Sequence, residues 1–410
     1  MRLALGLLLA LAPAAHARTL SWEDCVAIAS KNNPELASSA RGLEASRASY
    51  YGSYNAFLPS LNLSNGYANS YGQPMSWSAQ ASVGLDILDM RSVAGIRSSY
   101  ASYQQAQAAL RQASANLRLN LKRAFSQLLY AQRTMEVSKT IRDIRERDGQ
   151  TVSLLYDSGR ESKGNMLRAK AQMLQAEADL AQAQRSLRTA QKSLNRYLGL
   201  DDFDAVAASG ELIPGELPEQ AKDLRPFVSA RPDVAVQEAA LKGAEASLSQ
   251  ARSSLWPTFS INYSRSRTGD TEFPNDRTSW SYSGQLGYAL FGGGPTSTYF
   301  AEKSARRSLE RSEQDLRSVR NGALVELETT WSSFAGALDG VKVQLALLEA
   351  ARQRNDEADV RYASGLMTFD NWEIIVSERV NSERQALSAQ LEAVNAEAGW
   401  KKALGKGLGE

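Results

Sequence analysis

Asp370, Asn371 and Glu373, two acids and an amide, lie just after a Tyr-x-Ser-Gly turn, Tyr362-Ala363-Ser364-Gly365. Asp370 and Glu373 are three residues apart, so on a helix they share one face. Such a pair can attract cations, or act as acid and base if held across a cleft. No second carboxylate pair stands out among the 45 acidic residues to build that cleft, so an enzyme acting on envelope polymers finds little support. The rest of the composition removes more chemistry. The chain has one His, His16, and one Cys, Cys25. His16 falls in a segment read below as a cleaved leader, so the mature chain is expected to have no histidine. That removes triad catalysis, His-based proton shuttling and nearly all zinc chemistry, and a lone Cys cannot build a thiolate metal cage. Gly292-Gly293-Gly294-Pro295 is rich enough in glycine to cradle a phosphate, but no Lys-Ser/Thr pair follows it, so it reads as a bend. No cofactor is expected. The 47 basic and 45 acidic residues leave a formal charge of +2, which gives no basis for nucleic-acid binding.

The elements that must position the acidic group are organised by a leader and a repeat. Arg2 followed by an apolar run and Ala15-His16-Ala17 reads as a signal peptide over residues 1–17, cut after Ala17. That run is too short for a membrane-spanning helix, and no later apolar run is long enough either. A membrane protein of this sequence would have to enter lipid as strands. Beyond the leader, five motifs recur in the same order at a shift of roughly 200 residues. Asn33-Pro34-Glu35-Leu36 returns as Arg231-Pro232-Asp233-Val234, and Leu58-Pro59-Ser60-Leu61 as Trp256-Pro257-Thr258-Phe259. Ser76-Trp77-Ser78 returns as Ser279-Trp280-Ser281, Tyr156-Asp157-Ser158-Gly159 as Tyr362-Ala363-Ser364-Gly365, and Leu198-Gly199 as Leu404-Gly405. The expected organisation is a first repeat over 18–200, a Pro-interrupted linker over 201–218 and a second repeat over 219–410. Each repeat reads helix, strand, strand, long helix, tight turn, helix.

The strands are expected near 57–67, 76–88, 256–267 and 279–291, each with period-two alternation. Trp77, Ala79, Ala81, Val83 and Leu85 oppose Ser78, Gln80, Ser82 and Gly84, giving one apolar and one small polar face. Tyr67, Trp77, Trp280 and Tyr282 are candidate interfacial aromatics for a membrane wall. The two long helices, from Arg91 to about Tyr156 and from Thr296 to about Tyr362, would each run about 100 Å. Leu324, Leu327, Trp331, Phe334, Leu338, Val341, Leu345 and Leu348 follow alternating three and four spacings, a coiled-coil seam. Shorter helices are expected over about Leu20–Ala56, Ser162–Leu198, Glu219–Leu255 and Thr368–Leu404. The fold class is thus mainly α, with long coiled-coil helices and a small β part. Four strands cannot close a transmembrane barrel, and open edges in lipid leave backbone groups unpaired. The barrel must be shared among two, three or four copies.

The doubled Asn-Pro-Glu-Leu and Arg-Pro-Asp-Val motifs, the Leu-Pro-Ser-Leu and Trp-Pro-Thr-Phe strand starts and the two Tyr-x-Ser-Gly turns resemble the TolC-like outer-membrane efflux proteins. The likeness covers essentially all of the chain after the leader. It implies a homotrimer in the outer membrane of a Gram-negative-type cell, with a shared twelve-stranded barrel among outer-membrane lipid and a helical tunnel through the periplasm. It implies a passive exit duct for a tripartite efflux pump or a type I secretion system, partnered by a periplasmic adaptor (membrane fusion) protein and an inner-membrane transporter. Tyr156, Ser158, Gly159 and Arg160, with Tyr362, Ser364 and Gly365, would then lie at the tips that meet the adaptor. Asp370 and Glu373, repeated around a threefold axis, would form two acidic rings at the periplasmic entrance. This chain departs from the family there. Asn371 and Ile374 stand where members carry two aspartates, and Met367 stands where they carry a latch arginine. Arg160 and Glu161 are the substitutes available. A soluble periplasmic coiled-coil scaffold or adaptor is the alternative, and it predicts extraction without detergent.

Overall fold

The computed structural model describes residues 18–72, 75–201, 205–219, 223–275, 277–289 and 294–409. The segment read as a signal peptide, residues 1–17, and part of the Gly292–Pro295 stretch read as a bend lie outside the described residues. The chain divides into two compact units. One takes the described residues up to Ala37, Ser114–Leu224 and the chain from Val325 onward; the other takes Ser38–Ala113 and Arg225–Leu324.

In the first unit a short strand, β1 (Arg18–Leu20), leads into helix α1 (Trp22–Asn32). Ser21 starts the helix by accepting a hydrogen bond from the Asp24 amide at 3.1 Å, while Asp24 accepts one from the Ser21 amide at 3.0 Å. The bond from the Ser21 amide to the ionised carboxylate, with a second from the Ser21 hydroxyl at 2.9 Å, holds the Asp24 pKa below its usual value. The helix expected over Leu20–Ala56 is not continuous. Asn33 is extended (φ −65°, ψ 122°), as the residue before Pro34 is pushed to be, and α2 (Pro34–Ser53) begins afresh. The Asn33 side chain caps the new helix by accepting from the Leu36 amide at 3.0 Å, and it donates to the Tyr197 carbonyl at 2.9 Å.

Two long helices, α3 (Met90–Asp157, 68 residues) and α7 (Pro295–Ala363, 69 residues), contribute residues to both units. Each is followed by a shorter helix, α4 (Lys163–Leu198) and α8 (Phe369–Ala403). Part of the buried face of α3, and that of α4, follows a heptad of alanines that the leucine pattern conceals. Ala94, Ala101, Ala108 and Ala115 are buried on α3, and Ala169, Ala176, Ala183 and Ala190 on α4. Small residues at every seventh position let helix axes approach to the short end of the usual packing range, about 8 Å. Of the α7 seam, Leu327, Phe334 and Leu348 are buried, whereas Leu345 is exposed in the single chain.

After α4, Gly199 takes a left-handed conformation (φ +71°) directly against the α1 end. A Cβ there would lie 2.2 Å from the Asn32 carbonyl oxygen, so only glycine fits. The chain then forms β4 (Val206–Ala208), which pairs in parallel with β1. Of this two-stranded sheet, the second strand falls in the segment read as a linker and the first at the start of the expected first repeat, and both are too short for periodicity to reveal. Cys25, Ala29, Leu121, Leu128, Leu194 and Leu198 pack together beneath it.

In the second unit the helix expected over Glu219–Leu255 is likewise broken, into α5 (Arg225–Ala230) and α6 (Pro232–Arg252). Arg231 is extended before Pro232, and its buried guanidinium grips Asp233 at 2.9 and 2.7 Å. Four strands follow the helices: β2 (Ser60–Ala68), β3 (Ser76–Leu88), β5 (Thr258–Gly269) and β6 (Arg277–Gly287). The first starts later than the expected 57–67 because Tyr54–Phe57 forms a 3₁₀ turn ahead of Pro59. In place of 279–291, the last runs from Arg277 to Gly287; residues 290 and 291 lie outside the described residues.

The sheet order is β2-β3-β5-β6, antiparallel throughout, with β2 and β6 as open edges. Register places Leu61, Val83, Tyr263 and Tyr282 in one row, and Leu63, Ala81, Arg265 and Trp280 in the next same-face row. The opposite face carries a serine ladder, with Ser264–Ser281 and Ser266–Ser279 hydroxyls 2.9 and 2.7 Å apart. The apolar face is bare: Leu63 is 74% and Tyr282 75% exposed. Tyr67, Trp77, Trp280 and Tyr282 all stand on that face, and the Tyr67 and Trp77 rings touch at 5.4 Å. No helix among the described residues is long and apolar enough to cross a membrane.

Candidate functional site

The two Tyr-x-Ser-Gly turns end the long helices in the same way. Gly159 (φ +72°) and Gly365 (φ +75°) take the left-handed conformation that closes a helix. The Arg160 amide returns to the Leu155 carbonyl at 2.8 Å, and the Leu366 amide to the Arg361 carbonyl at 2.9 Å. Ser158 and Ser364 donate their hydroxyls back to the Leu155 and Val360 carbonyls. Beyond the first turn, Ser162 caps α4 by accepting from the Asn165 amide at 3.1 Å; Thr368, ahead of α8, makes no such bond. The turns meet through Arg160, whose Nη2 lies 2.9 Å from where a Gly365 Cβ would stand.

The tyrosines of the two turns differ. Tyr156 is half-buried, whereas Tyr362 is buried and stacks on Trp372 at 4.4 Å, with Phe369 alongside. The Tyr362 hydroxyl donates to Glu161 at 3.3 Å, and the Trp372 indole donates to Asp359 at 2.7 Å. Burial, with the nearby Glu161 charge, raises the Tyr362 pKa far above its normal value. Val152, Ala169, Ala358 and Val376 complete this small core, and Met367 packs onto it.

Asp370 and Glu373 share the α8 face as their spacing predicts, but their surroundings separate them. The Asp370 side chain is 73% exposed and pairs with Arg168 of α4 at 3.0 Å. Glu373 is only 7% exposed. Its carboxylate accepts from Gln172 at 2.6 Å and from the Ser377 hydroxyl at 2.7 Å, and lies 3.4 Å from Arg168 and 3.7 Å from Arg145. Arg145 is buried on α3; it donates to Ser377 at 2.9 Å and stands 4.0 Å from Asp148. Burial pushes the Asp148 carboxyl up to about 6 despite that arginine. Asn371 and Ile374 are exposed beside this network. Glu373 is therefore tied into contacts between α3, α4 and α8 within one chain, and Asp370 is the acid of the pair that reaches open water. Sequence reasoning missed Arg145 and Arg168. A signal for the latter existed: counting back from Glu373 by the interval between Gly159 and Gly365 lands beside Arg168.

The arrangement holds helices together by charge and offers no reaction centre. Cys25 is fully buried, with its thiol pushed up to about 12 by desolvation, so it is no nucleophile at neutral pH. Among the described residues, no group of His, Cys, Asp or Glu could hold a metal ion.

The same fold occurs in known outer-membrane channels. The structure described for CusC aligns with a TM-score of 0.85 at 16% identity, covering 94% of this chain and 92% of that one. The open-state MtrE outer membrane channel of Neisseria gonorrhoeae aligns with a TM-score of 0.82 at 21% identity, covering 94% and 89%. In sequence, the pyoverdine export outer membrane protein OpmQ of Pseudomonas aeruginosa is 31% identical over 191 residues, 44% of this chain and 38% of that protein. The alignment thus spans well under half the length of that relative. The family model described as outer membrane efflux protein matches residues 26–200 and 227–406. With both matched segments together taking in most of the sequence, the chain belongs to the outer membrane efflux protein family, whose members are outer-membrane channels and not enzymes.

Proposed function

We propose that three copies of this chain join their sheets edge to edge into a twelve-stranded outer-membrane barrel, and that the assembly is the passive exit duct of a tripartite efflux pump or type I secretion system. One observation carries the reading. Among the described residues the four-stranded sheet has two unpaired edges, β2 and β6, and an apolar face whose large side chains, such as Leu63 and Tyr282, stand exposed. Open edges are costly in lipid, where no water can satisfy backbone groups, so closure by further copies is the stable solution. Three copies give a lumen wide enough for water, lined by the Ser, Asn and Gln face, whereas two would leave almost none.

At the other end, the Tyr156–Arg160 and Tyr362–Gly365 turns form the periplasmic tips and the docking surface for an adaptor, which links the duct to an inner-membrane transporter. Leu154 and Leu366 are exposed beside them and supply apolar contact. The entrance is held by Arg145, Arg168, Gln172 and Glu373, which lock α8 to α3 and α4, while Asp370 faces the path and favours cations. The paired repeat underlies this division: both halves supply the tube, and the second supplies the gate. The test is the mass of the protein purified from outer membranes in detergent. Three chains per particle support the reading; a single chain that extracts without detergent overturns it and favours a soluble scaffold.

A further inference from the structure

The apolar face of the sheet is interrupted at one place. Arg265 and Arg267 of β5 stand on it, in register with Ala81 and Ala79 of β3. Both arginines are exposed, and among the described residues neither has an acidic partner. Other arginines of the same unit do: Arg252, Arg307 and Arg320 pair with Glu302, Glu310 and Glu238. Ala79 and Ala81, adjacent on this face, leave a trough between larger neighbours, and the result is a hollow of about 480 Å³ whose lining includes Leu63, Asn65, both alanines, both arginines and Phe273. Phe273, in the connection between β5 and β6, is 72% exposed and has φ +56°, a left-handed conformation that is unfavourable for a bulky side chain. An unpaired charge on a lipid-facing strand is disfavoured, least so near the membrane boundary. Arg267 lies two residues before the outer end of β5, at that boundary.

We propose that Arg265 and Arg267 form a binding site for the phosphate of an outer-leaflet glycolipid, whose acyl chain lies along the Ala79–Ala81 trough beneath Phe273. The proposal rests on the reading of this sheet as a membrane wall with its hairpin connections outward. Same-face neighbours on a strand stand about 7 Å apart, so two guanidiniums can converge on one phosphate, each through paired N–H donors. The alanine trough and Phe273 supply the apolar contact that a free anion would not need. β5 is an inner strand, paired on both sides within its own chain, so every protomer carries a whole site without help from a partner.

The experiment is native mass spectrometry of the full chain purified from outer membranes, titrated with bis-phosphorylated lipid A, its dephosphorylated form and inorganic phosphate, with conductance recorded in parallel. Wild-type protein should retain the phosphorylated lipid about tenfold better than R265Q/R267Q, two charge-assisted contacts having been removed. A79L/A81L, which fills the trough and keeps both charges, should also lose lipid. Both variants should conduct as wild type does. Equal lipid retention by wild type and R265Q/R267Q in conducting channels overturns the site alone. So does equal retention of the dephosphorylated lipid, or displacement of lipid by inorganic phosphate at matched concentration. Protein that needs no detergent and does not conduct overturns the membrane reading, and the site with it.

Discussion

The two helix-reversing turns share a sequence motif, a left-handed glycine and the same backbone hydrogen bonds, yet they do different work. The first, Tyr156–Gly159, is a cap with a half-buried tyrosine. The second, Tyr362–Gly365, sits on a packed aromatic trio and adjoins the Glu373 network. Backbone geometry sets the shape of both ends, and side chains outside the shared motif decide which one is fastened. Trp372, Arg145 and Arg168 are the fastening residues, and none belongs to a motif that recurs.

The contrast can be broken most forcefully at Trp372. W372A removes the ring stacked on Tyr362 and should cost about 3–5 kcal/mol, read as a fall in the midpoint of thermal or denaturant unfolding. Y156A, at the half-buried counterpart, should cost much less; equal losses would erase the distinction. R145A leaves Glu373 with a buried charge and one exposed partner, and should cost about 3 kcal/mol. R145A/E373Q should recover part of that loss, and failure to recover would show that the pair is not coupled.

Asp148 provides a pH test. Its folded-state pKa, about 6, lies above the ordinary value of 3.8. The folded protein therefore binds a proton between these limits that the unfolded chain does not. Stability from this group is greatest below about pH 4 and declines as pH rises through 6, by at most about 3 kcal/mol. Arg145, Arg147, Arg379 and Asp359 face the carboxyl, and the arginines reduce the effect. D148N should be more stable than wild type at pH 7.5 and flatten the profile between pH 4 and 6; an unchanged profile would assign the pH dependence elsewhere. Smaller still are the glycines. G159A and G365A should each cost about 1–2 kcal/mol for the left-handed backbone. G365A should be the worse of the two, because its methyl group meets Arg160.

How much of this was legible depended on the range of the interactions. Alternation in Trp77–Leu85 identified a strand because period two is local, and the same reading extended along β5 exposes Arg265 and Arg267 as breaks in the apolar face. Pro34 and Pro232 marked helix breaks just as plainly, yet the helical pattern on either side masked them. The β1–β4 pair was illegible, since three residues carry no period and the partners lie far apart in sequence. Glu373 read as an exposed acid because nothing nearby in sequence betrays Arg145, whose approach depends on α3, α4 and α8 packing together. The alanine heptad was readable in principle, but large side chains draw attention from the small ones that set helix spacing.

The central claim, a water-filled duct with its cation-favouring constriction beyond the second turn, is tested most directly by single-channel recording in a planar bilayer. Wild type should give discrete, cation-preferring currents, and D370A/E373A should lose that preference or conduct more. Currents identical in the double variant would contradict the gate, and a detergent-purified trimer that never conducts would contradict the duct itself.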